Sequence, residues 1–158
     1  MCSSDLPTPR DVTFEGFYEW MVHTLAYAEK EWSKTEAWNH ATMRLLKPNE
    51  SVVYGFRFVL APSVKEIEPT LIEEKRPVAV GVPGYVVPLD QTAHLFLHTP
   101  SPLTSLQVEP QGALTVNPVV RTTPKGWLDY TLKGEMEGRC RLTLRYANGL
   151  EQTIHYFV

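Results

Sequence analysis

Strict alternation of apolar and polar side chains runs through the second half of the chain. Leu95 and Leu97 alternate with His94, Phe96 and His98, Leu106 and Val108 with Gln107 and Glu109, and Leu128, Tyr130 and Leu132 with Asp129 and Thr131. Successive side chains of a strand point to opposite faces, so each of these segments predicts a strand with one face for a core. Turn residues separate them at roughly 8 to 12 positions, the pattern of a small antiparallel β-sandwich. The last stretch, 139–158, places Cys140, Leu142, Leu144, Tyr146, Ile154, Tyr156 and Val158 inward. Arg139, Arg141, Thr143 and Arg145 then face Glu151, Thr153 and His155 across a hairpin, a match of charges. Asn148-Gly149 between the two halves predicts a two-residue type I′ turn.

The first half is less regular. Residues 43–46, a turn at Lys47-Pro48-Asn49-Glu50, and 51–60 with Tyr54, Phe56, Phe58 and Leu60 alternating against Gly55, Arg57 and Val59 predict a second hairpin with one buried face. Asn49 occupies a turn position often held by Gly, which Asn tolerates in the left-handed region. Ser63-Val64-Lys65-Glu66 has the spacing of a capping box, so one short helix is predicted near 63–75 with Val64, Ile67 and Leu71 on one stripe. Pro69 should kink or delay that helix, and the Arg76-Pro77 step should end it. Residues 14–32 fit a helix and a strand about equally, because Phe14, Phe17, Tyr18, Met21, Val22, Leu25 and Trp32 sit at helical spacing while 17–27 is rich in aromatic and β-branched residues. A module boundary is placed at Pro77, where the short alternating strands begin.

Composition narrows the classes. The chain has 158 residues, 43% hydrophobic and 21% charged, which fits a folded globular protein. Its net charge of −3 comes from 15 basic and 18 acidic residues mixed along the chain, without a basic stripe, so nucleic acid is not an expected partner. No apolar run reaches the ~20 residues needed to cross a bilayer as a helix, and a membrane is not expected either. Cys2 and Cys140 lie far apart with no metal-ligand spacing around them. Cys2-Ser3-Ser4-Asp5-Leu6 looks like the translation of a sequencing-adapter end, so residues 1–6 are read as a non-native leader.

Candidate chemistry is sparse. On a strand, His94 and His98 share a face but stand about 13 Å apart, too far to clamp one metal ion. Cys140 has the parity of a core residue rather than of a reactive thiol. No GxSxG elbow or glycine-rich phosphate loop organises a nucleophile, so no catalytic residue, metal ligand or cofactor is assigned. The acidic and aromatic stretch 15–38 remains. Glu19, Trp20, His23, Glu29, Trp32 and Trp38 suit either sugar contact, through stacking and hydroxyl hydrogen bonds, or a domain interface.

Three segments carry a likeness to a known family: 18–29 (YEWMVHTLAYAE), 46–51 (LKPNES) followed by 54–58 (YGFRF), and 76–85 (RPVAVGVPGY). They resemble the six-hairpin glycosidase-like proteins, and the likeness extends over nearly all of 14–158. It implies a partial galactose-mutarotase-like supersandwich ending near residue 76 and an immunoglobulin-like sandwich over 77–158. An α/α toroid domain of the same parent chain would be the packing partner and carry the catalytic residues, with carbohydrate as the second candidate partner. The resemblance favours a strand over 18–28. By this reading the chain is not an enzyme by itself, and its parent is compatible with an extracytoplasmic setting. The alternative is a free-standing carbohydrate-binding or adhesion-type β module.

Overall fold

A computed structural model of the protein describes residues 21–158 apart from Glu36, Trp38, Arg121 and Thr122. The chain divides into two compact units, Met1–Arg57 and Phe58–Val158. Residues read as the leader lie outside the described part.

The second unit is mainly β. Its strands are β1 (Val78–Val82), β2 (Thr92–His98), β3 (Leu103–Glu109), β4 (Leu114–Pro118), β5 (Trp127–Gly134), β6 (Arg139–Tyr146) and β7 (Glu151–Phe157). They form a four-stranded sheet in the order β1-β2-β5-β4 and a three-stranded sheet in the order β3-β6-β7, antiparallel throughout. The inward sets predicted by alternation meet in one core, in which Leu95, Leu97, Leu132, Leu142, Leu144 and Tyr156 are completely buried. Leu128 has the inward parity of Tyr130 and Leu132 yet is 39% exposed.

One segment joins the two layers. After β1 the chain turns at Pro83-Gly84 and lays residues 85–87 alongside β7 in parallel, with the Val87 amide donating to the Phe157 carbonyl at 2.7 Å and the Phe157 amide to the Tyr85 carbonyl at 3.0 Å. The opening strand thus pairs with β2 in one sheet and, a few residues later, its extension pairs with the last strand of the other.

The β6–β7 hairpin keeps the predicted facing pairs, Arg145 with Glu151, Thr143 with Thr153 and Arg141 with His155, and Arg145 binds the Glu151 carboxylate at 2.8 Å. Its turn differs from the type I′ expectation. Gly149 has φ of 82°, whereas Asn148 does not enter the positive region, and the Gly149 amide donates to the Tyr146 carbonyl at 2.9 Å. Tyr146 and Leu150 close the ladder, so the loop is three residues, a turn followed by a left-handed glycine. The Asn148 side chain caps the Leu150 amide at 3.2 Å.

The short helix begins as a 3-10 turn over Val64–Glu66 and continues as α2 (Ile67–Glu73; α1 lies in the first unit). The capping box does not form: Ser63 receives the Glu66 amide on its backbone carbonyl, and its hydroxyl caps nothing. The tight opening turn moves the start of regular α-helix to Ile67, which leaves Pro69 in the first turn, where the amide it lacks would have had no partner. Pro69 therefore delays the helix without breaking it. The end is a Schellman arrangement, with the Arg76 amide on the Leu71 carbonyl at 2.8 Å, the Lys75 amide on Ile72 at 2.9 Å, and Lys75 itself at φ of 55°.

In the first unit a helical turn, α1 (Leu25–Glu29), replaces the strand that the resemblance favours over 18–28; residues 18–20 lie outside the described part. Its first turn hangs on the Thr24 carbonyl, and Thr24 is fastened to Thr42 through backbone and side chain at 3.1 Å. The turn at 47–50 forms as predicted, with the Glu50 amide on the Lys47 carbonyl at 2.9 Å, Asn49 at φ of 66°, and the Glu50 carboxylate bound by Arg44 and the Lys47 amide. The flanking segments 43–46 and 51–60 form no strand ladder among the described residues. Val53 is 91% and Leu60 93% exposed, so neither face of the expected hairpin is buried. Two strands alone gain too little without a covered face to hold a ladder together.

Candidate functional site

Of the six residues singled out by the sequence, Glu19, Trp20 and Trp38 lie outside the described part. His23, Glu29 and Trp32 fall around α1, where the Trp32 amide donates back to the Tyr27 carbonyl at 2.9 Å and folds the chain after the helix. That bond places the Trp32 ring on Tyr27, stacked with centroids 5.4 Å apart and planes at 30°. His23 shares a 2.5 Å hydrogen bond with the Tyr54 hydroxyl and meets that ring edge-on. Glu29 ends α1 and is exposed. No hydrogen bond or ring contact joins His23, Glu29 and Trp32 to one another; each belongs to a separate local pair or to solvent.

A second group lies on the outer face of the four-stranded sheet. The alternation in β2 sends His94, Phe96 and His98 to that face, opposite Thr131, Asp129 and Trp127 of β5. His94 Nδ1 and Asp129 Oδ1 are 3.0 Å apart, with the Asp129 side chain wholly buried and that of His94 one-third exposed. An ionised carboxylate only accepts, so a neutral His94 carries its proton on Nδ1 and turns Nε2 away. Phe96 lies parallel to the His94 ring at 5.9 Å, and His98 meets Trp127 at 66°. The loop before β5 presses on this group. A Cβ added to Gly126, at φ of 85°, would meet His98 Nε2 at 2.7 Å.

The pairing of His94 with Asp129 orients an imidazole, and among the described residues no serine, threonine or cysteine bonds to that imidazole to complete a nucleophilic triad. His94 and His98 have the same parity but separate partners. Among the described residues no three His, Cys, Asp or Glu side chains gather where a metal ion could sit. Cys140 is buried beside Tyr156, and burial pushes its thiol pKa up, against a smaller opposing effect of a backbone hydrogen bond from Tyr156. The sequence reading missed the burial of Asp129, which it placed on a solvent face. An aspartate in mid-strand, flanked by Leu128 and Tyr130, is the one signal that could have flagged it, since Asp is disfavoured in strands.

A model of the family of unknown function DUF5695 matches residues 2–158. The chain belongs to that family. No curated protein and no solved structure matches it. In this DUF5695 chain, the outer-face group is held by the His94–Asp129 pair and the α1 group by the His23–Tyr54 and Tyr27–Trp32 pairs.

Proposed function

We propose that the chain is a non-catalytic β-sandwich accessory region of a larger glycoside-hydrolase-like, carbohydrate-active protein, packing against an α/α toroid catalytic domain. The observation that carries this reading is the run of large apolar side chains left in solvent between 43 and 64. Leu45 is 79% exposed, Val53 91%, Leu60 93% and Val64 81%. So much exposed apolar surface in one stretch usually marks an interface. By this reading, 7–76 is the end of a supersandwich whose strands are completed by neighbouring chain, and 77–158 is an immunoglobulin-like spacer. The strand orders β1-β2-β5-β4 and β3-β6-β7 support the second part, being the ABED and CFG orders of a constant-type immunoglobulin sandwich when strands are lettered along the chain.

The test has two arms. The purified chain is assayed on a broad glycan panel, where no turnover is expected; turnover lost on Glu29→Gln would sink the non-catalytic reading. The parent protein is then made with Leu45→Ser and Val53→Ser together, where a lower melting temperature and reduced activity are expected. A parent double variant with unchanged melting and activity removes the interface. The second reading, a free-standing carbohydrate-binding or adhesion-type β module, draws on the Tyr27–Trp32 stack. Glycan binding by the isolated chain that disappears in Trp32→Ala would favour it.

A further inference from the structure

The sandwich has four sheet edges, and three of them are closed by an identifiable device. On β1, the Ala79 carbonyl accepts from the Tyr85 hydroxyl at 3.1 Å, and the Gly84 carbonyl lies so near Gly81 that an added Cβ would meet it at 2.5 Å. Strand β4 is five residues long and ends in Pro118, which has no amide to offer. The end of β7 is covered by residues 85–87. Free edges invite pairing with other chains, and proline, short length and covering segments are the usual ways of preventing it.

Strand β3 has none of these. It is seven residues long, contains no proline, lysine or arginine, pairs among the described residues with β6 alone, and leaves Thr104, Ser105 and Gln107 exposed. A bulge at Thr104, whose hydroxyl bonds the Arg145 carbonyl, breaks the register at the start and leaves Ser105–Glu109 as the straight part of the ladder. A row of alternating backbone donors and acceptors at strand spacing matches one kind of ligand, another extended strand.

We infer that this edge pairs with the same edge of a second copy of the chain, antiparallel about Gln107, to give one continuous six-stranded sheet. The side chains are self-complementary in that register. Gln107 faces its own copy across the two-fold axis, Leu106 faces the partner's Val108 on the core side, and Ser105 faces the partner's Glu109 on the outer side. Ser105 is also the ladder partner of Arg145, as Glu109 is of Arg141. The outer row therefore reads Arg141, Glu109, then Ser105, Arg145 and Glu151 of the second copy, an acid set between two arginines with a small serine leaving reach. The two Glu109 carboxylates stand four residues apart along the edge, about 13 Å. A two-fold interface must be complementary to itself, and this one has no like charges opposed.

The experiment measures molar mass by sedimentation of the full chain over a range of concentration. The wild type is expected to reach twice the chain mass. Gln107→Lys and Gln107→Glu place like charges face to face on the axis, so each alone is expected to remain monomeric, with circular dichroism and melting unchanged. Mixing the two variants is expected to restore dimers, since lysine then faces glutamate. A wild type that stays monomeric at the highest concentration overturns the inference. So does a dimer indifferent to Gln107→Lys, or one lost instead in Val53→Ser, which would assign association to the exposed apolar run. Failure of the mixed variants to associate overturns the register.

Discussion

Tyr156 is completely buried, and its hydroxyl has no hydrogen-bond partner among the described residues. A polar group buried in this way costs about 1–3 kcal/mol, so Tyr156→Phe should raise stability by about 1 kcal/mol at neutral pH, read from a urea midpoint. Tyr146 is the contrasting case. Its hydroxyl donates to the Gln152 side chain at 2.7 Å, and Tyr146→Phe should cost about 1 kcal/mol under the same conditions. Both phenols are pushed up, chiefly by burial; Tyr146 reaches about 12 with a smaller push from Tyr130, and Tyr156 is raised further by Tyr85 and Cys140. The folded state then holds protons that the unfolded chain releases from about pH 10 upward. Stability from this source is complete below that pH and falls as pH rises towards about 12. Each Phe variant should lose less stability between pH 9 and pH 11 than the wild type, with parallel slopes counting against the assignment. Glycine positions offer a second residue-scale comparison. Gly112 and Gly126 both have positive φ, but only Gly126 faces a neighbour, His98, within reach of a Cβ. Gly126→Ala should therefore destabilise by more than Gly112→Ala, and the difference isolates the contact with His98 from the backbone strain common to both.

At the scale of elements, α2 ends on a lysine where the geometry favours glycine. A side chain in the left-handed region costs roughly 1–2 kcal/mol, so Lys75→Gly should stabilise the helix end by about 1 kcal/mol, less a little for the freedom glycine gains when unfolded. An unchanged midpoint would mean that Lys75 gains something else from its position. The strands of the second unit were legible in the sequence because burial on one face imprints period two, and the parity assigned to Cys140, Leu142, Leu144 and Tyr156 is the one observed. What could not be read was anything set by a neighbouring layer. Asp129 shares its parity with residues facing away from the core, yet it is buried and bonded by His94 of the neighbouring strand β2. The Asn-Gly dipeptide announced a turn, but the Tyr146–Leu150 closure decided that the loop has three residues. In 51–60 the alternation of Tyr54, Phe56, Phe58 and Leu60 was read as a buried face, yet these side chains remain exposed. Hydrogen exchange should separate the two kinds of segment, with amides of 51–60 exchanging within the early time points while those of β2, β5 and β6 persist. Comparable protection in both would show that a ladder forms across 43–60 in solution.

At the scale of the whole molecule, the unit 58–158 contains a closed core that draws on both sheets and should fold by itself. Expressed alone, it should unfold in one cooperative transition, and limited proteolysis of the full chain should cut within 43–61 well before any bond in 78–158. Early cleavage inside the strands would contradict this. The parallel seam between 85–87 and β7 also fixes how the sandwich would respond to being pulled. Antiparallel hairpins such as β6–β7, drawn apart from their open ends, unzip one bond after another. In a parallel pair the incoming end of one strand and the outgoing end of the other are drawn in opposite directions along the strands, so tension between residue 85 and residue 158 slides the seam lengthwise. The bonds at Tyr85, Val87 and Phe157 then have to fail together rather than in turn. A module placed between two larger bodies would in this way pass on force along its first and last strands while its core stays shut.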